Sequence, residues 1–240
     1  MIKTFNPNNV LTLIMLIIGS YSFANDTTKV EASLGADMVS HYVWRGQLLG
    51  NSPSIQPTMG ISYSGISFGS WGSYSFANSA FQEAYLYVTY NFKSLTLGVN
   101  DYFTPNDSLG AGNRYFDYNN SSTAHTLEPF ITLSNIAGTS FSATAAVFAF
   151  GNDKNNNGKN QYSTYLEINY NTNIGEFEMN FIGGATFAKG YYAKKLAVVN
   201  LGTSLIKQIK VTDSFSIPFK GSFIINPNTE NVFLVLDFSF

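Results

Sequence analysis

The strongest constraint in this chain is a rule of parity. Through most of its length apolar side chains recur at every second position, and charges fall almost only among the alternate ones. Leu86, Val88, Tyr90 and Phe92 alternate with Glu83, Tyr85, Tyr87 and Thr89. Leu166, Ile168 and Tyr170 alternate with Tyr165, Glu167 and Asn169, and Ile217, Phe219, Phe223 and Ile225 with Ser216, Lys220 and Ser222. A period of two is that of a β-strand with one apolar and one polar face. From Val30 onward about twelve such segments, of roughly 9 to 14 residues each, are separated by turn residues. The expected fold is therefore all-β, and the last segment, Asn231 to Phe240, repeats the rule with Val232, Leu234, Leu236, Phe238 and Phe240 opposite Asp237 and Ser239.

Only 12% of the residues are charged, about half the usual share, and a soluble globule so built would be poorly solvated. In the body of the chain no apolar run approaches the roughly 20 residues of a membrane helix, so any crossing of a membrane is by strands. A charge on the lipid side near the bilayer middle costs about 2 to 4 kcal/mol, which assigns the charged side to the lumen of a transmembrane antiparallel β-barrel. By that parity Asp37, His41, Arg45, Trp71, Glu83, Tyr85, Tyr87, Glu128, Tyr165, Glu167, Lys220 and Asp237 line the interior. Asp101 and Lys195 break the rule only at strand ends, and Tyr42, Trp44, Tyr102, Phe187, Tyr191 and Tyr192 suit aromatic girdles. The competing reading, a soluble exported barrel or sandwich, makes the apolar faces a core.

The front of the chain carries Lys3, an apolar run from Val10 to Ile18 and the small-x-small triplet Ser22-Phe23-Ala24. That is a secretory signal, so residues 1–24 are expected to be removed and residues 25–240 to form one barrel. There is no cysteine, hence no lipoprotein anchor and no disulfide. Thirteen basic against fifteen acidic residues leave no footprint for nucleic acid. Connections alternate in length, short at Ser64-Gly65, Lys93-Ser94, Asn135 to Gly138 and Asn171 to Gly175, long at Thr104 to Thr123 and Gly151 to Asn160. Short periplasmic turns and longer external loops are the habit of outer-membrane barrels, and an even strand count puts both termini in the periplasm. Lys207 to Asp213 is longer than this pattern wants.

Four blocks resemble the N-terminal part of the TorF-type porin family of bacterial outer-membrane β-barrel proteins: Ser40-His41-Tyr42-Val43-Trp44-Arg45-Gly46, Pro53-Ser54-Ile55-Gln56-Pro57, Gly69-Ser70-Trp71-Gly72-Ser73 and Asp101-Tyr102-Phe103-Thr104-Pro105. The resemblance spans Ala36 to Pro105 and implies a barrel in the outer membrane of a Gram-negative bacterium. Where those relatives show Glu-x-Asp-x-Tyr, this chain has Glu83-Ala84-Tyr85-Leu86-Tyr87, so one acid of a shared polar site is missing. The final strand also resembles the C-terminal strand of such barrels, in which a terminal Phe, here Phe240, is read by the assembly machinery.

Several local patterns bear on function. Arg45 and Glu83 fall at the same level on the lumen side, a pair that either narrows a pore or braces the wall. The long connection, with Gly110-Ala111-Gly112 and then Arg114, Tyr115, Asp117 and Tyr118, is a candidate constriction loop, since structureless loops of that length are functional or disordered. Asp153-Lys154-Asn155-Asn156-Asn157-Gly158 matches the first half of a calcium loop, but its twelfth position is Thr164 where a bidentate Glu is required; no metal or cofactor is expected. His125 has outer-wall parity near the rim, as in the outer-membrane phospholipase, but two residues on stands Leu127 rather than a Ser, and a base needs its nucleophile within hydrogen-bond reach. Catalysis is not expected. The expected function is passive diffusion of small polar or cationic solutes, because Glu31, Asp37, Glu83, Glu128, Glu167, Glu176, Glu178 and Asp237 outnumber Arg45 and Lys220 within a narrow lumen. The alternative is a closed structural or adhesive barrel made of the same strands.

Overall fold

The computed structural model describes residues 29–77, 82–105, 114–213 and 215–240. The signal segment and Gly110-Ala111-Gly112 lie outside these residues. Period-two patterning yields the strands β1 (Glu31–Val39), β2 (Tyr42–Trp44), β3 (Gln47–Gly50), β4 (Ser54–Tyr63), β5 (Ile66–Ser75), β6 (Gln82–Phe92), β7 (Leu95–Phe103), β8 (His125–Leu133), β9 (Phe141–Val147), β10 (Phe150–Gly151), β11 (Thr164–Ile174), β12 (Phe177–Thr186), β13 (Ala197–Lys210), β14 (Ser216–Asn226) and β15 (Asn231–Ser239). One sheet takes up all of these except the β2-β3 hairpin, and pairing of β8 with β9 closes it. With the two-residue β10 set aside, twelve antiparallel strands make a closed barrel, and no α-helix occurs among the described residues.

Register fixes which side chains point inward. Glu128 opposes Asn100, Glu167 opposes Gly184, and Lys220 opposes Asp237, so the polar positions of neighbouring strands share one face. The other face is an exposed apolar belt that includes Phe68, Val88, Leu97, Ile131, Ile168, Phe181, Leu205 and Phe223. Monomers in water rarely carry a contiguous apolar surface of this kind.

Tight turns join the strands at one end. Ser64-Gly65 has positive φ at both residues (52° and 82°), the geometry whose twist matches that of the flanking strands. The long connection after β13 proves shorter than the sequence suggested, because β13 runs on to Lys210 and β14 begins at Ser216. Ladders are extensive except at two seams, of which β8–β9 holds from Phe130–Ala146 to Leu133–Ala143 and is extended by β10 at Leu127–Phe150 and Thr126–Gly151. Leu201–Ile225 to Lys210–Ser216 pair along β13 and β14, whereas β1 meets β15 only at Asp37–Ser239, Met38–Phe238 and Val39–Asp237. Backbone bonds between Ala36 and Phe240 (3.2 and 2.9 Å) and from Ser40 N–H to the Leu236 carbonyl (2.9 Å) flank that short overlap.

The first strand stops short of Arg45. It ends at Val39, and the chain turns into the barrel as the β2-β3 hairpin, with Arg45 (φ 49°) and Gly46 (φ 73°) at its tip. Tyr42 and Trp44, expected in a girdle on the outer wall, therefore lie inside.

Candidate functional site in the barrel interior

The hairpin projects into the interior and its tip docks on β13 and β14. Asn226 of β14 donates from Nδ2 to the Gly46 carbonyl (3.0 Å), and a Cβ on Gly46 would stand 2.0 Å from the Val199 carbonyl oxygen. Glycine is required there twice over, by the positive φ and by the contact. Near the base of the hairpin, Tyr42 donates its hydroxyl to Glu83 Oε2 (2.9 Å) and packs against Trp71, which in turn lies 5.1 Å from Tyr85.

At the tip, Arg45 meets Glu128 fork to fork, Nη1 to Oε1 at 2.5 Å and Nη2 to Oε2 at 3.0 Å. Nη1 also donates to the Tyr192 hydroxyl at 2.6 Å. The guanidinium lies 4.4 Å from the Trp44 ring centre, 4.3 Å from that of Tyr165 and 5.8 Å from that of Tyr192. Glu128 Oε2 is held in addition by the Tyr102 hydroxyl (2.7 Å) and Asn100 Nδ2 (3.3 Å). The Tyr165 hydroxyl donates to Glu167 Oε2 (2.7 Å) and accepts from Asn200 (3.1 Å), and the hydroxyl end of its ring fills the space a side chain on Gly184 would need. Phe148 closes the cluster, stacked parallel on Trp44 with ring centres 6.4 Å apart. Here the interior is packed like a core: Glu128 is 1% exposed and Tyr165 2%. Such burial of a charge pair is tolerable only because its hydrogen-bonding capacity is so fully used.

Toward the tight-turn end the inward faces are polar and looser. Thr132 and Thr144 are bonded at 2.8 Å, Asn180 donates to Asn171 at 2.8 Å, and Lys220 pairs with Asp237 at 2.6 Å. Asp37 joins this region, opposite Gln56 and Ser239. Tyr87 covers Gly60 and Gly69, where an added Cβ would lie 3.0 and 2.3 Å from its hydroxyl oxygen. His41 sits at the bend between β1 and the hairpin, its Nδ1 3.3 Å from Ser40 Oγ. The structure thus brings Arg45, Glu128, Tyr165 and Glu167 into one network, and Glu83, Trp71 and Tyr85 into another. Arg45 and Glu83 are not partners, since each has a different one.

The candidate constriction residues lie elsewhere, on the outside of the wall. Tyr118 stacks on His125 (4.2 Å between centres) and donates to Asp101 Oδ2 (2.8 Å), while Tyr115 packs edge-on against Phe103 and His125. Asp117 takes Arg114 at 3.1 Å, and the Asn119 amide and Ser122 hydroxyl hold its carboxyl below the usual range. Outward-facing Asp101 and His125 explain this docking, for a polar pair on an apolar wall needs a cover. His125 is fully buried, with Nδ1 2.7 Å from Asp101 Oδ1 and Nε2 2.5 Å from the Tyr115 carbonyl oxygen. Both nitrogens are engaged, by Asp101 and by the Tyr115 carbonyl, and among the described residues no serine hydroxyl is their partner.

The half-matched calcium loop is closed on itself. Asp153 accepts from the Ser163 amide and hydroxyl (2.8 Å each), and Asn155 Oδ1 from the amides of Asn157 and Lys159 (2.9 and 3.1 Å). No cluster of metal-ligating side chains occurs among the described residues.

Sequence reasoning missed the hairpin and with it the roles of Trp44, Tyr102, Asn100, Tyr192 and Asn200. The signal was present as Arg45-Gly46 between Tyr42-Val43-Trp44 and Gln47-Leu48-Leu49, a two-residue turn ending in Gly between β-forming residues. Against known proteins, residues 24–200 match the model of a family described as a bacterial protein of unknown function (Gcw_chp). The chain belongs to this family. No curated protein and no solved structure matches it. The matched span contains the hairpin, Glu128, Tyr165, Tyr192 and Val199, and ends before Asn226.

Proposed function

We propose that this Gcw_chp-family chain is an outer-membrane β-barrel of a Gram-negative bacterium that passes small polar or cationic solutes, with the β2-β3 hairpin as its constriction. The exposed apolar belt supports lipid as the surroundings, since a closed barrel leaves no backbone group unpaired in hydrocarbon except at its rims. On this reading the tight turns and both termini face the periplasm, the long connections face outward, and β15 with its outward Val232, Leu234, Leu236, Phe238 and Phe240 is the strand presented to the assembly machinery.

The observation that carries solute passage is the interior itself. Asp37, Glu83, Glu128, Glu167 and Asp237 face it against Arg45 and Lys220, and asparagine, serine and threonine line the half nearer the tight turns. In a passage narrower than the roughly 8 Å screening length such an excess favours cations. The test is conductance in planar bilayers under a salt gradient, for the natural protein and for a variant with Tyr42 to Gly50 replaced by a short glycine-serine link. Small cation-selective currents that rise several-fold on removal of the hairpin are expected, and an anion-signed reversal potential refutes the charge argument. The near-complete burial of Glu128, Tyr165 and Val199 favours a second reading, a permanently closed barrel. Silence from both proteins would establish that one.

A further inference from the structure

The barrel wall holds the surroundings of the Arg45 guanidinium in place without help from the hairpin. Glu128 is oriented by Tyr102 and Asn100, both on β7, and Tyr165 by Glu167 and Asn200, so the carboxylate fork and the ring face beside it are fixed by neighbours other than Arg45. Tyr192, from the connection between β12 and β13, adds a hydroxyl acceptor and a second ring. Only Trp44 comes from the hairpin. A two-oxygen acceptor meeting a forked donor fork to fork, flanked by aromatic faces, matches a planar guanidinium and does not match the compact charge of an ammonium.

We propose that this cage is a guanidinium-binding site of the barrel and that Arg45 is its tethered occupant, which a guanidinium-bearing solute in the lumen displaces. The proposal rests on the solute-passage reading for how that solute arrives, and it deepens it by naming the solute's chemistry. A ligand tethered by a short loop has an effective concentration on the order of millimolar, so the natural protein resists dilute solute and yields to concentrated. Displacement withdraws the tip, with Trp44, from the cage.

The test uses the full-length barrel in detergent, with ethylguanidinium as the probe and ethylammonium at equal concentration as control. In Arg45→Ala, ethylguanidinium should raise the thermal midpoint saturably and ethylammonium should not, and the effect should vanish in the Arg45→Ala/Glu128→Gln double variant. In the natural protein the same probe should speed amide exchange in residues 42–50, half-maximally at a concentration at least tenfold higher. Should Arg45→Ala fail to fold, Arg45→Lys keeps the charge without the fork and should admit the probe at a lower concentration than the natural protein. A cage that responds alike to both cations, or a natural hairpin whose exchange ethylguanidinium leaves unchanged, overturns the proposal and makes Arg45–Glu128 a structural pair only. Because neither measurement involves conductance, a silent bilayer would sink the channel and leave the cage standing.

Discussion

Introducing arginine at two outward positions of β6 measures the depth of the apolar belt. Val88 and Phe92 are both exposed on the outer wall, and Val88 has Phe68 and Val99 as its register partners. Four residues along a strand span about 14 Å, and a tilt of about 40° reduces this to about 10 Å along the barrel axis. In an apolar band of about 25 Å, a residue at mid-height and one about 10 Å away differ by nearly the whole half-thickness. Val88→Arg should therefore cost about 2 to 4 kcal/mol relative to Val88→Ala, and Phe92→Arg at most about 1 relative to Phe92→Ala. Reversible urea unfolding in phospholipid vesicles, followed by the fluorescence of Trp44 and Trp71, reads both. Thr89→Arg, at an inward position beside Val88, controls for the local effect of a long side chain. Equal costs at positions 88 and 92, or a protein that stays monomeric in water without detergent, would refute a lipid-facing belt.

Three more outcomes follow from the geometry. Gly184→Ala places a Cβ 2.1 Å from the Tyr165 hydroxyl and should destabilise the barrel by about 1 to 3 kcal/mol, with most of the loss recovered in the Gly184→Ala/Tyr165→Leu double variant by denaturant titration. His125→Ala removes two hydrogen bonds and the ring under Tyr118, which should free residues 114–122 locally by about 2 to 4 kcal/mol; trypsin added from outside should then cut after Arg114 far faster than in the natural protein. The Asp117 carboxyl is held below its ordinary value of 3.8, first by the Asn119 amide and next by the Ser122 hydroxyl. Its contribution is complete above that value and lost as the pH falls through the lower folded one, so amide exchange at Asn119, corrected for intrinsic rate, should show less protection at pH 2.5 than at pH 6.

How far the sequence could be read depended on whether the physics was local or distant. Parity placed Glu128, Glu167, Lys220 and Asp237 on the inward face, because each lies mid-strand and the period of two leaves no choice. The same rule misled at residues 40–50, where Tyr42 and Trp44 continue the alternation of β1 but belong to a hairpin folded inside. Alternation is a property of any strand and says nothing about which sheet the strand joins. The partner of Arg45 was equally out of reach, since Glu128 lies 83 residues away and Glu83 fitted the spacing as well. The loop with Tyr115 and Tyr118 docks outside because Asp101 and His125 face outward together, a coincidence that register creates between β7 and β8 and that no single segment displays.

The short overlap of β1 with β15 has a consequence for how this molecule comes apart. Most neighbours in the ring are zipped along much of their lengths, and the short β8–β9 ladder is extended by β10, but this junction holds only from Ala36–Phe240 to Ser40–Leu236. Pulled or heated, the barrel should open there first and peel as a sheet still hydrogen-bonded through its other ladders. The order of failure, and by reversal the last event of assembly, is thus set by where two strand ends meet rather than by where the protein is best packed.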